Sequence, residues 1–374
     1  MTRLRALLIK EFLQMSRDRM TLAMLIILPI IQLLIFGYGI NTDVKHLPTV
    51  VFDQSLTHES RDMLNSFSST SYYDIKFIAH NFQEVTEIID SGQAKVGIIF
   101  PPDFSENVKH GRSASIQVLV DASDNMTANS AISTAQLVGQ VNSQKILIKK
   151  LRMATGQIYQ PAYDIRIRPW YNPDFVSPYY MVPGIIGIVV TMTMVMLTSI
   201  ALVREREFGT LEQLLVTPLK TYELIIGKII PYILVGFIQV ALTLSIGLYL
   251  FDIPVKGSMI LLYIMTLSFL LASLGLGIMI STIAQNQMQA MQMAFFVLVP
   301  SVLLSGFVVP RVSMHIFFYY LGYLFPMTFY LEIIRGILLK GNSFQHLWFP
   351  FFSLLFFTII TLTISIKRFK RTLA

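Results

Sequence analysis

Long apolar runs alternate with short polar breaks along most of the chain, and one long polar interval interrupts them near the start. Leu22–Ile40 is almost unbroken, with only Pro29 and Gln32 inside it. About 19 residues at ~1.5 Å each suffice to cross a ~30 Å hydrocarbon core, so this run is expected to be the first span. A cleaved leader would have a shorter apolar core and a small-residue cleavage site. The runs Tyr179–Val203, Tyr222–Phe251, Ser258–Ile283, Gln287–Val308 and Leu347–Ile366 repeat the pattern. The reading is a polytopic α-helical membrane protein with six transmembrane helices, one over 21–40 and five within 179–366. An even count puts both termini on one side.

In residues 41–178 the apolar content falls, acids and bases nearly balance, and turn residues recur. Leu47–Phe52, Lys95–Phe100 and Ser115–Val120 read as β-strands from their Val/Ile content and flanking turn residues. Thr57 ahead of Glu59, Asn81 with Glu84, and Asp103 with Glu106 are expected helix starts, and Gly92 and Gly111 stand where helices should stop. A long polar helix is expected over Asp124–Ala154. The interval is read as a mixed α/β domain of about 135 residues, enough for its own core, standing outside the membrane.

Two stretches are amphipathic or broken. In residues 2–19, Leu4, Leu8 and Phe12 recur at helical spacing, while Arg3, Lys10 and Arg17 lie seven apart on another face. Such a helix suits the headgroup layer; a solvated leader ahead of an anchor has the same pattern. Residues 309–340, preceded by Gly306, are interrupted by Pro310, Arg311, Pro326, Glu332 and Arg335. They read as short re-entrant helices in the outer leaflet, with aromatics such as Phe317–Tyr320 and Tyr323 at interface depth.

Composition agrees with a membrane protein: 54% of the residues are hydrophobic and only 14% charged. The net charge of +7 suggests nucleic-acid binding until it is located. Five bases against two acids in residues 1–20, and four bases in the tail 367–374, account for all of it. Basic ends beside membrane spans place both termini in the cytoplasm and residues 41–178 on the extracytoplasmic side. The chain has no cysteine, which excludes disulfides and thiol chemistry.

The most elaborate connection is 204–221. The second span can continue as helix through Arg204, Glu205, Arg206, Glu207 and Phe208. Gly209 fits a stop, and Thr210 with Gln213 fits a capping box for a second, short helix. Thr217 precedes Pro218, which ends that helix. Phe208, Leu211 and Leu215 share one side with Leu214 at its border, and Glu207 and Glu212 are acidic. The loop charges cancel, so they carry no topology signal and look placed for contact; a solvated loop is the bland alternative.

Other chemistries are poorly represented. The phosphate-cradling GxxxxGK[ST] loop is absent, because Gly227-Lys228 has Tyr222 where the first glycine should stand. Any ATP would therefore be bound by a partner, and no cofactor is expected on this chain. No ionisable residue lies near the middle of a predicted span, which weighs against ion coupling; Glu223 and Lys228 stand at the inner end of the third. The six histidines are scattered without ligand spacing. A membrane-anchored receptor or scaffold, its outer domain holding a ligand or an envelope assembly partner, is the alternative to a transporter.

The stretch REREFGTLEQLLVTPLKTYELIIGK (204–228) resembles the membrane subunits of ABC-2 type exporters, especially bacterial drug-efflux permeases with a large extracytoplasmic loop after the first span. FPPDFSENVKHG (100–111), VLVDASDN (118–125) and the region 304–341 resemble them too. The resemblance implies a type V exporter-like fold in the bacterial inner membrane. It makes Thr210–Val216 the coupling helix that docks in an ATPase subunit, residues 1–20 the interfacial connecting helix, and 309–340 the outer re-entrant helices. It implies two permease subunits, identical or not, with two ABC ATPase subunits that supply ATP hydrolysis. A membrane-fusion adaptor and an outer-membrane channel are implied further partners, and a drug-like or amphipathic compound the cargo. His315 departs from the family, where proline is expected.

Overall fold

The computed structural model describes residues 2–39, 44–155, 170–174, 176–209 and 221–371. The chain divides into two compact units, a helical one (residues 1–40 and 169–374) and an α/β one (residues 41–168). The α/β unit thus ends at residue 168 and not at 178, and beyond it the Asn172 side chain bonds both ways with Val176, accepting from its N–H at 2.9 Å and donating to its carbonyl at 3.0 Å. That loop is folded onto the helix it introduces.

The helical unit contains α1 (Thr2–Arg17), α2 (Arg19–Gly39), α7 (Ser177–Glu207), α8 (Thr221–Phe251), α9 (Met259–Ile283), α10 (Gln287–Leu304), α11 (Ile316–Leu321), α12 (Pro326–Arg335) and α13 (Phe344–Arg371). In hydrocarbon every backbone N–H must be satisfied within its own segment, so apolar runs of this length can only be helices. Among the described residues α7, α8, α9, α10 and α13 are long and apolar enough to cross a membrane. The broken pair Ile316–Leu324 and Pro326–Lys340, bent by 90°, makes a sixth if counted as one span; the apolar part of α2, Leu25–Gly39, is shorter. The chain is thus a helical membrane protein with five to six apolar helices. α10 ends at Leu304 rather than at Val308, because Gly306 turns the chain with a φ of 89°.

α9 is the hub. It packs against α7 and α13, and its Phe269 stacks on Tyr330 of α12 with ring centroids 3.9 Å apart. Gly277 marks where α9 and α7 come closest: a Cβ there would lie 1.8 Å from Thr198 Oγ1 and 2.7 Å from the Val195 carbonyl. Small residues at such crossings let backbones approach and exchange area-based attraction for close packing.

The α/β unit holds a four-stranded sheet in the order β2-β1-β3-β4, made of β1 (Leu47–Asp53), β2 (Tyr73–Ile78), β3 (Val96–Phe100) and β4 (Gln117–Val120). The first three are parallel and β4 is antiparallel to β3. The parallel strands are joined through α3 (His58–Ser68) and α4 (Phe82–Asp90), and α5 (Phe104–His110) and α6 (Asn125–Thr155) follow. Helices cover both faces: Val51, Phe67, Ile98 and Phe104 pack on one side, Val50, Val85 and Ile99 on the other. A strand covered on both faces reads as a continuous apolar run, and all five residues of β3 are buried.

Thr57 caps α3 in a capping box closed by Ser60, and Asn81 caps α4 by accepting from the Glu84 N–H at 2.7 Å. Asp103 makes no cap; its carboxylate accepts from the Asn107 side chain at 2.7 Å instead. β2 is absent from the strands expected above. Its signal, apolar Tyr73, Ile75 and Phe77 alternating with Asp74 and Lys76, is diluted by a half-exposed setting.

Replacing Gly277 by leucine would drive a side chain into a contact that has no room for one. We expect the detergent-purified Gly277→Leu protein to lose on the order of 2 kcal/mol of stability or to fail to accumulate. Gly39→Leu, with nothing within 4 Å of its added Cβ, should match the parent in thermal unfolding; equal midpoints for both variants would refute the crossing.

Candidate functional site

At 31 residues α7 is about 46 Å long, more than a hydrocarbon core is thick. Its last turn therefore carries Arg204–Glu207 past the apolar bundle. Phe208 follows as the cap, 68% exposed, and Gly209 closes the helix in the left-handed region at φ 67°. Thr210, Leu211, Glu212, Leu214, Leu215, Thr217 and Pro218, the expected second helix, lie outside the described residues.

The four charges before the stop are used differently from one another. Glu205 is buried and receives Lys228 of α8 at 2.9 Å and Lys10 of α1 at 2.8 Å. Lys228, itself buried, also lies 3.3 Å from Glu11 of α1, and Lys10 is 3.0 Å from the same carboxylate. Two bases and two acids thus form a neutral network joining α1, α7 and α8. Arg206 donates to the carbonyl of Ala284, which follows α9. Glu207 accepts from the backbone N–H of Gln287 at 2.9 Å and from its side-chain amide, at the first residue of α10. An acid there also meets the positive end of the α10 dipole. Arg204 is exposed, as are Arg206 and Glu207, and its guanidinium lies 5.8 Å from the centre of the Phe208 ring. Of the charges expected to form a contact surface for a partner, Glu205 is buried against Lys228 and Lys10 of its own chain.

The face that α1 turns inward also differs from the expected Leu4–Leu8–Phe12 stripe. Leu7 and Glu11 are the buried pair, Leu7 filling the space over Gly227, where a Cβ would lie 2.4 Å from its Cδ2. Phe12 is half-buried and Arg17 exposed, while the Arg3 side chain lies outside the described residues. Glu11 was not singled out by the sequence; a lysine inside an apolar run is the signal that an acid must stand opposite it. Beside the network, Leu25, Leu197 and Tyr232 help line a cavity of about 520 Å3 whose polar wall includes Arg17, Asp18 and Arg204 as well as Glu11, Glu205 and Lys228.

The opposite end of the unit holds its arginines on tyrosine rings and backbone carbonyls. Arg335 lies 3.8 Å from the Tyr180 ring centre and donates to the carbonyls of Gly306 at 3.3 Å and Tyr180 at 3.4 Å. The Tyr180 hydroxyl donates to the same Gly306 carbonyl at 2.8 Å. Arg311 sits over Tyr319 and Tyr323 at 4.5 and 4.2 Å. Pro310 opens the short turn Arg311–Ser313 and Pro326 opens α12, where proline's missing N–H costs nothing. Glu332 is exposed and takes no part in these contacts. His315 holds a φ of −57°, which proline would also adopt, and its Nδ1 accepts from the Phe317 N–H as the cap of α11.

Removing Lys228 would leave two acids sharing Lys10, whose side chain is 44% exposed. Lys228→Met is expected to cost on the order of 3 kcal/mol in thermal or denaturant unfolding. Adding Glu11→Gln should restore part of the loss, because one base then faces one acid. Additive effects of the two substitutions in a double-mutant cycle would exclude a coupled network.

Residues 19–367 match the family of ABC-2 family transporter proteins. The probable multidrug ABC transporter permease YbhS of Escherichia coli (strain K12) is 32% identical over 91% of this chain and 89% of its own length. The probable multidrug ABC transporter permease YbhR of the same strain is 29% identical over 99% of this chain and 98% of its own. The inner membrane transport permease YhhJ is 30% identical over 87% and 86%. These matches run through both units and do not favour the receptor or scaffold alternative. The chain belongs to the ABC-2 transporter family, as the membrane-spanning permease subunit of an exporter.

Proposed function

We propose that residues 204–221 take up the movement of a separate ATPase subunit and that the charge network passes it into the bundle. The observation that carries this reading is the convergence on three consecutive residues of α7: Glu205 is tied to α1 and α8, and Arg206 and Glu207 to the α9–α10 turn. A push on the segment after Gly209 then reaches several helices at once, as a rigid-body shift between inward-open and outward-open states requires. ATP is bound and hydrolysed by the partner, and this chain holds no cofactor. The family implies both that ATPase and a second permease subunit, identical or different.

In this reading six spans cross the bacterial inner membrane, α2 being the first. Both termini are cytoplasmic, residues 41–178 are extracytoplasmic, and 309–340 re-enter from the outer side. A membrane-fusion adaptor and an outer-membrane channel fit the large outer domain. The cargo is drug-like or amphipathic, in line with the multidrug names of YbhS and YbhR, and the cavity beside the network offers an apolar wall and a charged one to such a compound.

The double variant Glu207→Ala/Leu211→Asp tests the coupling. Co-expressed with its ATPase, it should reach the membrane at parental levels yet lose at least about tenfold in transport and in ATPase recovered on purification, a loss of roughly 1.4 kcal/mol or more in association. Undiminished association and transport would sink the assignment.

A further inference from the structure

We infer that the α/β unit contains a binding site for an amphiphilic anion, in the groove between α6 and the edge of the sheet. The groove encloses about 650 Å3, within the range of small-molecule sites, and is walled mainly by apolar side chains. It arises because α6 outruns the core it covers. Its earlier turns bury Ala128, Ala131 and Val138 against the sheet. Further along, Gly139, Asn142, Ile146 and Lys150 stay on one face at helical spacing and line the groove, with Asn142 accepting from the Ser66 hydroxyl, Lys150 reaching Val108 of α5, and Val118 of β4 across the gap. Nothing lies within 4 Å of where a Gly139 Cβ would stand. Ile146 and Leu147 remain 39% and 56% exposed. Apolar walls that face each other without touching are an unfilled site, not a core.

The polar groups of the groove choose the ligand's charge. Among the described residues its charged lining is Lys150 and Arg112, with no acid. Lys150 is held at one end: its ammonium donates to the Val108 carbonyl at 2.7 Å. Gly111, in the left-handed region at φ 73°, leaves the ammonium room, since a Cβ there would stand 3.3 Å from Nζ. An ammonium has three donors, so two remain for a ligand, and Arg112 adds a second cation beside it. Asn142, Gln136 and Ser143 supply neutral hydrogen-bonding groups along the groove. The fitting ligand has an apolar body of drug or fatty-chain size and one carboxylate, sulfonate or phosphate. Two sources have this chemistry, an envelope lipid or an exported amphiphile. The site is separate from the junction at Glu205, so its failure leaves the permease reading intact.

The full-length protein, purified in a neutral detergent, is photolabelled with a diazirine derivative of palmitate and digested for mass spectrometry. Labelling is expected to concentrate in peptides covering 104–120 and 132–150, and to fall at least fivefold with the corresponding alcohol. Lys150→Met/Arg112→Gln should reduce it by a similar factor. Gly139→Trp, which fills the groove from a position with room for the side chain, should abolish it, with unfolding midpoints unchanged in both variants. Competition separates the sources: displacement by oleate and not taurocholate supports a lipid, the reverse an exported amphiphile, and displacement by both supports the site for the whole class. Label spread over the membrane helices without enrichment in those peptides, equal labelling of the variants, or displacement by neither compound would overturn the proposal.

Discussion

Lys228 carries its charge where its side chain is only 4% exposed, and an ammonium in such a place is tolerable only with anions beside it. Its own helix offers none at that position. Glu205 must come from α7 and Glu11 from α1, and the second acid in turn needs Lys10. One buried base therefore dictates how three helices meet. It also explains why α1 presents Leu7 and Glu11 inward: with Glu11 committed to Lys228, the residue one turn before it faces α8, where Gly227 provides the space.

The two ends of the helical unit solve the problem of cations in different ways. At the end carrying α1 the bases are matched by carboxylates, and the pairs link separate elements. At the other end Arg311 and Arg335 lie on tyrosine rings and donate to carbonyls, with no ion pair to a carboxylate among the described residues. Aromatic faces and backbone oxygens attract a cation without requiring a second buried charge. The first arrangement fixes which helices stay together. The second holds the broken segment around α11 and α12 against the start of α7.

The helices were legible because a membrane leaves few alternatives: an apolar run of span length has to be a helix. Their ends were legible where a stop signal stood in the chain, as for α7, which runs on through its charges to Glu207 and stops before Gly209, and not for α10, which ends at Leu304 because of the turn at Gly306. In the α/β unit, buried β3 announced itself by unbroken hydrophobicity, whereas β2 mixes Asp74 and Lys76 into its pattern and was missed. The charged run at 204–207 was legible as important but not as to direction. Helical spacing places Glu205 on a face, but only the approach of Lys228 and Lys10 shows that this face turns inward. Partners hundreds of positions apart leave no local trace, and Glu11 was read as an ordinary member of a basic leader.

Stiffness is distributed unevenly along α7. Deep in the bundle it meets α9 at Gly277, where backbone and side-chain atoms interlock too closely for one helix to slide along the other. At its end, Glu207 holds α10 through exposed hydrogen bonds to Gln287, and Lys10 reaches Glu205 from a partly wet position. Contacts that water can replace are weak and exchange readily; interlocked ones move together or not at all. Under the proposed coupling, a displacement entering at residue 204 would carry α7 and α9 as one body and reach α1, α8 and the start of α10 through the charges at 205–207.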